Sequence, residues 1–362
     1  MKRYLYNIII GKHRGLVPGL IRFFLFILAI IYGLIIRILV VLNSLRQTSL
    51  GCRVISVGNI TLGGTGKTCL VEFIARFFKS KGKKIAILTR GYKKLAKGQA
   101  VNSQLIASSY ATMGDEPYML SKKLNIPVIV GPDRTRSAKT ACQVYKTGMV
   151  ILDDGFQQWG IKKDLEIVVI DATDPFGNFH CLPRGMLREP ISALKRADIF
   201  VITKVNLNPD IQDIKDFLAR INSRAEIFES AHQPKGFYLF GNDDQLLGLD
   251  SIKDKNVVVF SGIGDPDSFE ELIIRLEAKI GLSFKFSDHH NYTRQDLGNI
   301  INQAKRLGVS AIVTTEKDAV RLSGLGIMDK CQGLSFLILA IELKIIKNEQ
   351  TFCSRLSGIL PD

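Results

Sequence analysis

One stretch restricts what this chain can fold into: Ser56-Val-Gly-Asn-Ile-Thr-Leu-Gly-Gly-Thr-Gly-Lys-Thr68. It follows the β-branched residues Val54, Ile55 and Val57 and leads into an apolar helical pattern, Leu70, Val71, Ile74, Phe77 and Phe78. Strand, glycine-rich loop, Lys-Thr and helix is the layout of a phosphate-binding loop. Backbone N–H groups at a helix start cradle phosphates, a lysine neutralises them, and a hydroxyl ligates Mg²⁺. The stretch therefore predicts a nucleotide's phosphates held by Gly63, Gly64, Thr65, Gly66, Lys67 and Thr68, with Mg²⁺ on Thr68. The strict pattern asks for glycine at position 61, where this chain has Thr61. The plain alternative is a glycine-rich turn that precedes a helix.

A chain of 362 residues is long enough for two packed domains and an accessory segment. Lys and Arg number 49 against 34 Asp and Glu, a net +15, which favours an acidic partner such as anionic lipid or a phosphorylated substrate. Nucleic acid is disfavoured, because the basic residues are spread out and no aromatic-interleaved basic motif occurs. The six cysteines are scattered without a Cys-x-x-Cys pair, which reads as reduced thiols in a cytoplasmic compartment.

The N-terminal segment carries Lys2, Arg3, Lys12 and Arg14, then stays uncharged from Phe23 to Ile36 between Arg22 and Arg37. The apolar run continues to Leu42. Arg22 and Arg37 fall about 60° apart around a helix, on one side. Full crossing would also leave the first basic residues outside, against the positive-inside rule. The expectation is a membrane-bound helix that lies in the interface without crossing; a spanning helix and a buried core helix are the alternatives.

From residue 53 onward, short apolar runs alternate with helical stretches, the pattern of a mostly parallel α/β sheet. Strands are expected at Arg53–Val57, Lys84–Leu88, Pro127–Val130, Met149–Leu152, Glu166–Ile170 and Ile199–Ile202. A helix is expected over 67–80. A hairpin or linker near 228–248 precedes a second α/β unit, with strands near 256–260, 283–286, 310–314 and 335–340 and a helix over 267–280. The expected division is residues 1–48 as the basic segment and membrane helix, 49–228 as a P-loop core, and 229–362 as a hairpin and smaller α/β domain.

Several clusters carry chemistry. Gly148-Met-Val-Ile-Leu-Asp-Asp-Gly-Phe-Gln157 is an apolar strand ending in Asp153 and Asp154, which point to opposite faces if the strand runs through both; an acid there holds Mg²⁺ beside a phosphate loop. The plain reading is a solvated Asp-Asp-Gly turn. Asp115 and Glu116, in Gly114-Asp-Glu-Pro117, offer a carboxylate to orient a hydroxyl proton and another for metal, or simply start a helix. In Asp288-His289-His290, adjacent histidines point apart and suit a metal poorly; one His beside a carboxylate is the better reading. Arg184 and Arg188, in Pro183-Arg-Gly-Met-Leu-Arg-Glu-Pro190, can clamp phosphate or serve as surface charge, as can Arg134 and Arg136. Thr203-Lys-Val-Asn206 lacks the final acid of a guanine reader.

Taken in order, these motifs resemble a known family. The phosphate loop, Leu88-Thr-Arg-Gly-Tyr92, Gly114-Asp-Glu-Pro117, Val130-Gly-Pro-Asp-Arg134, Leu152-Asp-Asp-Gly-Phe-Gln157, Leu182-Pro-Arg-Gly-Met-Leu-Arg-Glu-Pro190, Asp288-His289 and Thr314-Thr-Glu-Lys-Asp318 succeed one another as in the tetraacyldisaccharide 4'-kinases. The likeness runs from the apolar helix to about residue 322. It implies transfer of the ATP γ-phosphoryl group to the 4'-hydroxyl of a tetraacylated glucosamine disaccharide 1-phosphate, giving lipid IVA at the cytoplasmic face of the inner membrane. By motif, Lys67 and Thr68 would bind phosphates and Mg²⁺, Asp115 would be the base supported by His289, and Glu116, Asp153 and Asp154 would serve the metal or the acceptor. Arg184 and Arg188 would contact substrate. The residues alone leave a second class open: a membrane-tethered ATPase or nucleotide switch acting on a protein partner, which needs no acceptor base.

Overall fold

The computed structural model describes Ile8, His13 and residues 15–90, 113–322, 325 and 333–360. Lys2, Arg3, Lys12, Arg14, the motif residues Gly91 and Tyr92, and Cys331 lie outside the described residues. Twelve strands are described. They are β1 Arg53–Gly58, β2 Ile85–Thr89, β3 Val128–Val130, β4 Met149–Asp153, β5 Leu165–Asp171, β6 Ile199–Thr203, β7 Glu226–Leu239, β8 Asn242–Leu247, β9 Asn256–Ser261, β10 Lys279–Lys285, β11 Ala311–Thr315 and β12 Ser335–Ile345. The chain forms two compact units, Met1–Arg90 with Gly131–Ala231 and Lys344–Asp362, and Gly91–Val130 with His232–Leu343.

The first unit holds a parallel sheet in the order β7-β6-β5-β1-β4-β2. β2, β4, β5 and β6 are buried at every position, because helices cover both faces of a parallel sheet. That is why these strands read as continuous apolar runs. Val168 and Ile170 of β5, with Phe200 and Ile202 of β6, share a core with Ile214 and Leu218 of the helix Gln212–Ile221. The helix Lys67–Ser80 buries Leu70, Val71, Ile74, Ala75 and Phe78, a stripe at helical spacing. β1 lies between β4 and β5, with Val57 opposite Asp153. The carboxyl ends of these parallel strands therefore meet at one edge, where ligands bind in open α/β sheets.

The N-terminal helix runs Leu16–Ser44. By length and composition it could cross a membrane: at 1.5 Å per residue it spans about 43 Å, against roughly 30 Å of hydrocarbon. Its apolar surface is mostly uncovered; Leu20, Phe23, Phe24, Ile30, Leu34 and Ile38 are all exposed. A narrower stripe, Arg22, Leu25, Ala29, Tyr32, Gly33, Ile36 and Val40, is covered to varying degrees. There Tyr32 Oη donates to the Arg188 carbonyl at 2.8 Å, Phe26 meets the His180 ring edge-on, and Gly33 lies against Pro190 and Cys181.

The second unit holds β10-β9-β11-β12 in parallel, with β7 next to β12 and β8 antiparallel to β7. Alternation along β9 sends Val258 and Phe260 to one face, with Leu297, Ile300 and Ile301 of the helix Arg294–Arg306. It sends Val257 and Val259 to the other, with Phe269 and Ile273 of the helix Pro266–Arg275.

Three expectations need correction here. The helix expected over 267–280 stops at Arg275, since Glu277 turns the chain with φ 62°. β10 then starts at Lys279, ahead of the expected 283–286, because Gly281 sits at a register shift against β9 where a Cβ would come within 2.6 Å of Asn256. The compact units also do not follow chain order. Residues 113–130 join the second unit, tied to it by Lys123–Glu316 and by Asp115–Arg321, and the segment after β12 returns to the first. In that segment the buried Phe352 packs on Phe73 and Phe228, and Arg355 pairs with Glu226.

Candidate active site

Loop residues 59–66 are pinned at both ends and open at the crest. Leu62 N–H donates to the Met186 carbonyl at 2.8 Å, Arg188 N–H donates to the Ile60 carbonyl at 2.7 Å, and Thr203 Oγ1 donates to the Thr65 carbonyl at 2.9 Å. Thr61, the departure from the strict glycine pattern, is buried and bridges to Leu187; Asn59 Nδ2 donates to its carbonyl and hydroxyl oxygens. A side chain suits that position because it is an anchor. Gly63 and Gly64 are different: they are exposed, and a Cβ on either would meet nothing within 4 Å. Gly63 (φ 117°) and Gly66 (φ 83°) also take backbone angles that favour glycine. The helix Lys67–Ser80 starts immediately afterwards, with its N–H groups and positive dipole end at the open crest.

Lys67 Nζ donates to Asn59 Oδ1 at 2.9 Å and lies 3.6 Å from Asp154. Thr68 is buried at the same helix start. The Asp153-Asp154 pair divides because β4 ends between them and Asp154 enters a left-handed turn, so strand alternation does not carry through both residues. Asp153 ends β4, buried, and accepts from Thr89 Oγ1 at 3.1 Å. Asp154, with φ 54°, turns toward Lys67 and Arg188. Burial pushes the Asp154 carboxyl up, but Lys67, Arg188 and Arg134 outweigh it and hold the group below its ordinary value. Arg134 is 2% exposed; it donates to the Gly131 carbonyl at 2.5 Å and lies 3.4 Å from the Asp153 carbonyl. Burial lowers its guanidinium to about 10.

A buried carboxylate, Glu189, ties the surrounding loops together. Gln157 Nε2 and Trp159 Nε1 donate to Oε1 at 3.0 and 3.1 Å, and Arg196 donates to Oε2 at 2.8 Å. Arg184 lies apart from this chain of contacts: its backbone carbonyl accepts from Asn178, and Arg22 of the N-terminal helix is the charge that lowers its guanidinium after burial.

Among the described residues no group of three or more His, Cys, Asp and Glu is placed to hold a metal. Mg²⁺ does not require one, since it usually binds through one or two protein oxygens, phosphates and waters. Thr68 and Asp153 meet that description. Asp154 already faces two cations, and Glu116, in the second unit, is engaged by Lys317.

The second unit carries Asp115 and His289. Asp115 is the first residue of the helix Asp115–Leu124, whose dipole favours the carboxylate. His289, with φ 58°, is held by its N–H to the Gly262 carbonyl at 3.1 Å, and its Nδ1 lies 3.2 Å from Asp115 Oδ2. The hydrogen bond to Asp115 raises His289 above its ordinary value, with burial opposing. Burial raises Asp115, and the bonds from His289 and Arg321 more than reverse that, leaving it lowered. The neighbouring His290 is used otherwise, 3.2 Å from Asp296 and stacked on Phe286. Asn59, Glu189 and Arg321 were not singled out from sequence. Glu189 stood inside a quoted motif, and Arg321 follows Asp318 on one helix face, the only signal that could have drawn attention to it.

The family model described as LpxK, tetraacyldisaccharide-1-P 4'-kinase, matches residues 21–360. A tetraacyldisaccharide 4'-kinase of Halothermothrix orenii is 36% identical over 343 residues, covering 89% of this chain and 88% of that protein. One from Desulfatibacillum aliphaticivorans is 35% identical, with 86% of each covered. The crystal structure of LpxK from Aquifex aeolicus, described as an "apo" form in complex with ATP, superposes with a TM-score of 0.76 at 27% identity. It covers 94% of this chain and 100% of that one.

Proposed function

The chain belongs to the tetraacyldisaccharide-1-P 4'-kinase family, and on that premise we propose that it transfers the γ-phosphoryl group of ATP to the 4'-hydroxyl of a tetraacylated glucosamine disaccharide 1-phosphate, giving lipid IVA. The crest at Gly63, Gly64, Thr65 and Gly66 takes the phosphates on backbone N–H groups, and Lys67 neutralises the charge that builds on the transferred group. Thr68 and Asp153 would hold Mg²⁺, with Asp154 and Glu116 outside its first ligands. When bound, the ion supplies charge neutralisation to the phosphate oxygens.

Asp115 accepts the proton of the acceptor hydroxyl as that oxygen attacks phosphorus, and His289 holds the carboxylate in place. The Asp115–His289 contact carries this reading, because transfer to a hydroxyl needs such a carboxylate and a nucleotide switch does not. Arg188 is assigned to Asp154 and thereby to the phosphate site, and Arg184 to an anionic substrate group. The exposed apolar face of the helix Leu16–Ser44 lies in the membrane, at the cytoplasmic face of the inner membrane where ATP is present, and the +15 charge suits an anionic surface.

Incubation of the purified protein with labelled ATP, Mg²⁺ and the lipid disaccharide tests the proposal. Label on the lipid is the expected result. Release of phosphate alone, with lipid present, removes the kinase reading in favour of an ATPase acting on a protein partner.

A further inference from the structure

Asp115 accepts two hydrogen bonds from described side chains, and both end on the same oxygen, Oδ2. One partner is His289 Nδ1 at 3.2 Å; the other is Arg321 Nε at 2.5 Å. Arg321 is a large, fully buried side chain, 1% exposed, and its fork is occupied in each direction. Nη1 donates to the Gly262 carbonyl at 2.7 Å and to Asp318 Oδ1 at 3.0 Å. Nη2 lies 3.4 Å from His289 Nδ1. Asp318, 0% exposed, is itself fixed by the Gly262 N–H at 3.0 Å, Tyr292 Oη at 2.9 Å and Thr315 Oγ1 at 2.6 Å. A guanidinium can only donate, so His289 Nδ1 cannot serve Arg321 and Asp115 together. The shorter contact and the negative charge assign the Nδ1 proton to Asp115.

We infer that Arg321 is a positioning residue for the transfer reaction: anchored on Asp318 and the Gly262 carbonyl, it grips Asp115 by Oδ2 and leaves Oδ1 to receive the hydroxyl proton. The inference rests on Asp115 being the base. A carboxylate gripped on one oxygen by a planar, fully charged fork cannot swing, and lysine cannot reproduce that fork. The geometry also explains why Asp318, a costly buried carboxylate, is retained at the end of the Thr-Thr-Glu-Lys-Asp motif: it balances the charge of Arg321.

The charged groups around Asp115 and His289 are Arg321 with Asp318 from one helix, Asp288 beside His289, and the Glu116–Lys317 pair. Without Arg321, one of the two side chains that oppose the effect of burial on Asp115 is gone, so the carboxyl rises.

The test is the pH dependence of turnover in Arg321→Lys and in the charge-balanced Arg321→Met/Asp318→Asn pair, the second serving if the first does not fold. Expected in either are a fall in kcat of about tenfold or more with the ATP KM unchanged, and an acid limb moved up by about one pH unit. In the Asp115→Asn background, Arg321→Lys should cost nothing further. Turnover that falls with the acid limb unmoved, or a loss that multiplies on Asp115→Asn, overturns the inference and leaves the kinase reading standing. Full turnover in Asp115→Asn overturns the base reading and the inference with it.

Discussion

Arg188 Nη1 donates to both carboxylate oxygens of Asp154, at 2.9 and 2.8 Å, and the same carboxylate lies 3.6 Å from Lys67 Nζ. One anion is thus shared by two cations at the foot of the phosphate loop. Arg188→Ala removes the cation bonded to both oxygens of Asp154 and leaves the carboxylate to draw the Lys67 ammonium away from an incoming phosphate. The affinity for a non-hydrolysable ATP analogue should fall about tenfold by calorimetry, in keeping with one charge-assisted bond. An unchanged affinity would show that Arg188 acts elsewhere.

Asp115→Asn keeps the shape of the site and removes its capacity to take a proton. The expected change is a fall in kcat of roughly 10²-fold or more, with ATP affinity nearly intact. Single-turnover rates alongside analogue binding separate the two effects.

The pH behaviour of the pair has a defined sign. His289 is raised in the folded protein, so its contribution is complete below its unfolded value and is lost as pH rises through the folded one. Asp115 is lowered, so its contribution is present above the ordinary carboxylate value and disappears as pH falls through the folded value. The pair is therefore strongest at mildly acid pH, between the ordinary carboxylate and imidazole values. Asp115→Asn should return the His289 titration to about 6.5 or below, read from its imidazole C–H shift. A titration that stays raised would mean another group, such as Asp288, sets it.

Gly58 and Gly155 are set by close approach. A Cβ on Gly58 would fall 2.5 Å from the Phe156 backbone nitrogen, and one on Gly155 would fall 2.7 Å from Leu152 Cβ. Neither neighbour is the free end of a side chain. Either Gly→Ala change should cost about 1–3 kcal/mol in urea unfolding and displace the adjoining Asp153-Asp154 turn, lowering turnover as well.

Phe352 is fully buried against Phe73 and Phe228. Phe352→Ala should destabilise the chain by about 3–5 kcal/mol. Because its partners are in the first unit, saturating ATP analogue should recover part of the lost thermal stability. No recovery would detach the helix Glu349–Ser357, which carries Phe352, from the nucleotide-binding unit.

Much of this was legible in the residues. The helix Lys67–Ser80 and the strands β1, β2, β4, β5 and β6 fell within a residue or two of expectation, because apolar runs bounded by glycine and charge leave few alternatives; β7, expected only as hairpin or linker, did not. β10 was misplaced because a bulge at Gly281 breaks the period that reveals a strand. The Asp115–His289 pairing came from the family likeness; nothing local in sequence joins residues so far apart. Arg321 was missed for a related reason. A buried arginine on a short helix looks like any surface arginine until its three acceptors, drawn from separate segments, are in view.

The chain passes between its two units at residues 90/91, 130/131, 231/232 and 343/344. During synthesis, the nucleotide-binding unit therefore cannot close until residues beyond Lys344 have left the ribosome, although its phosphate loop emerges early. Until then Phe73 and Phe228 wait without Phe352, while the apolar helix Leu16–Ser44 has already emerged. That apolar helix is therefore synthesised and exposed long before the last segment that completes the first unit.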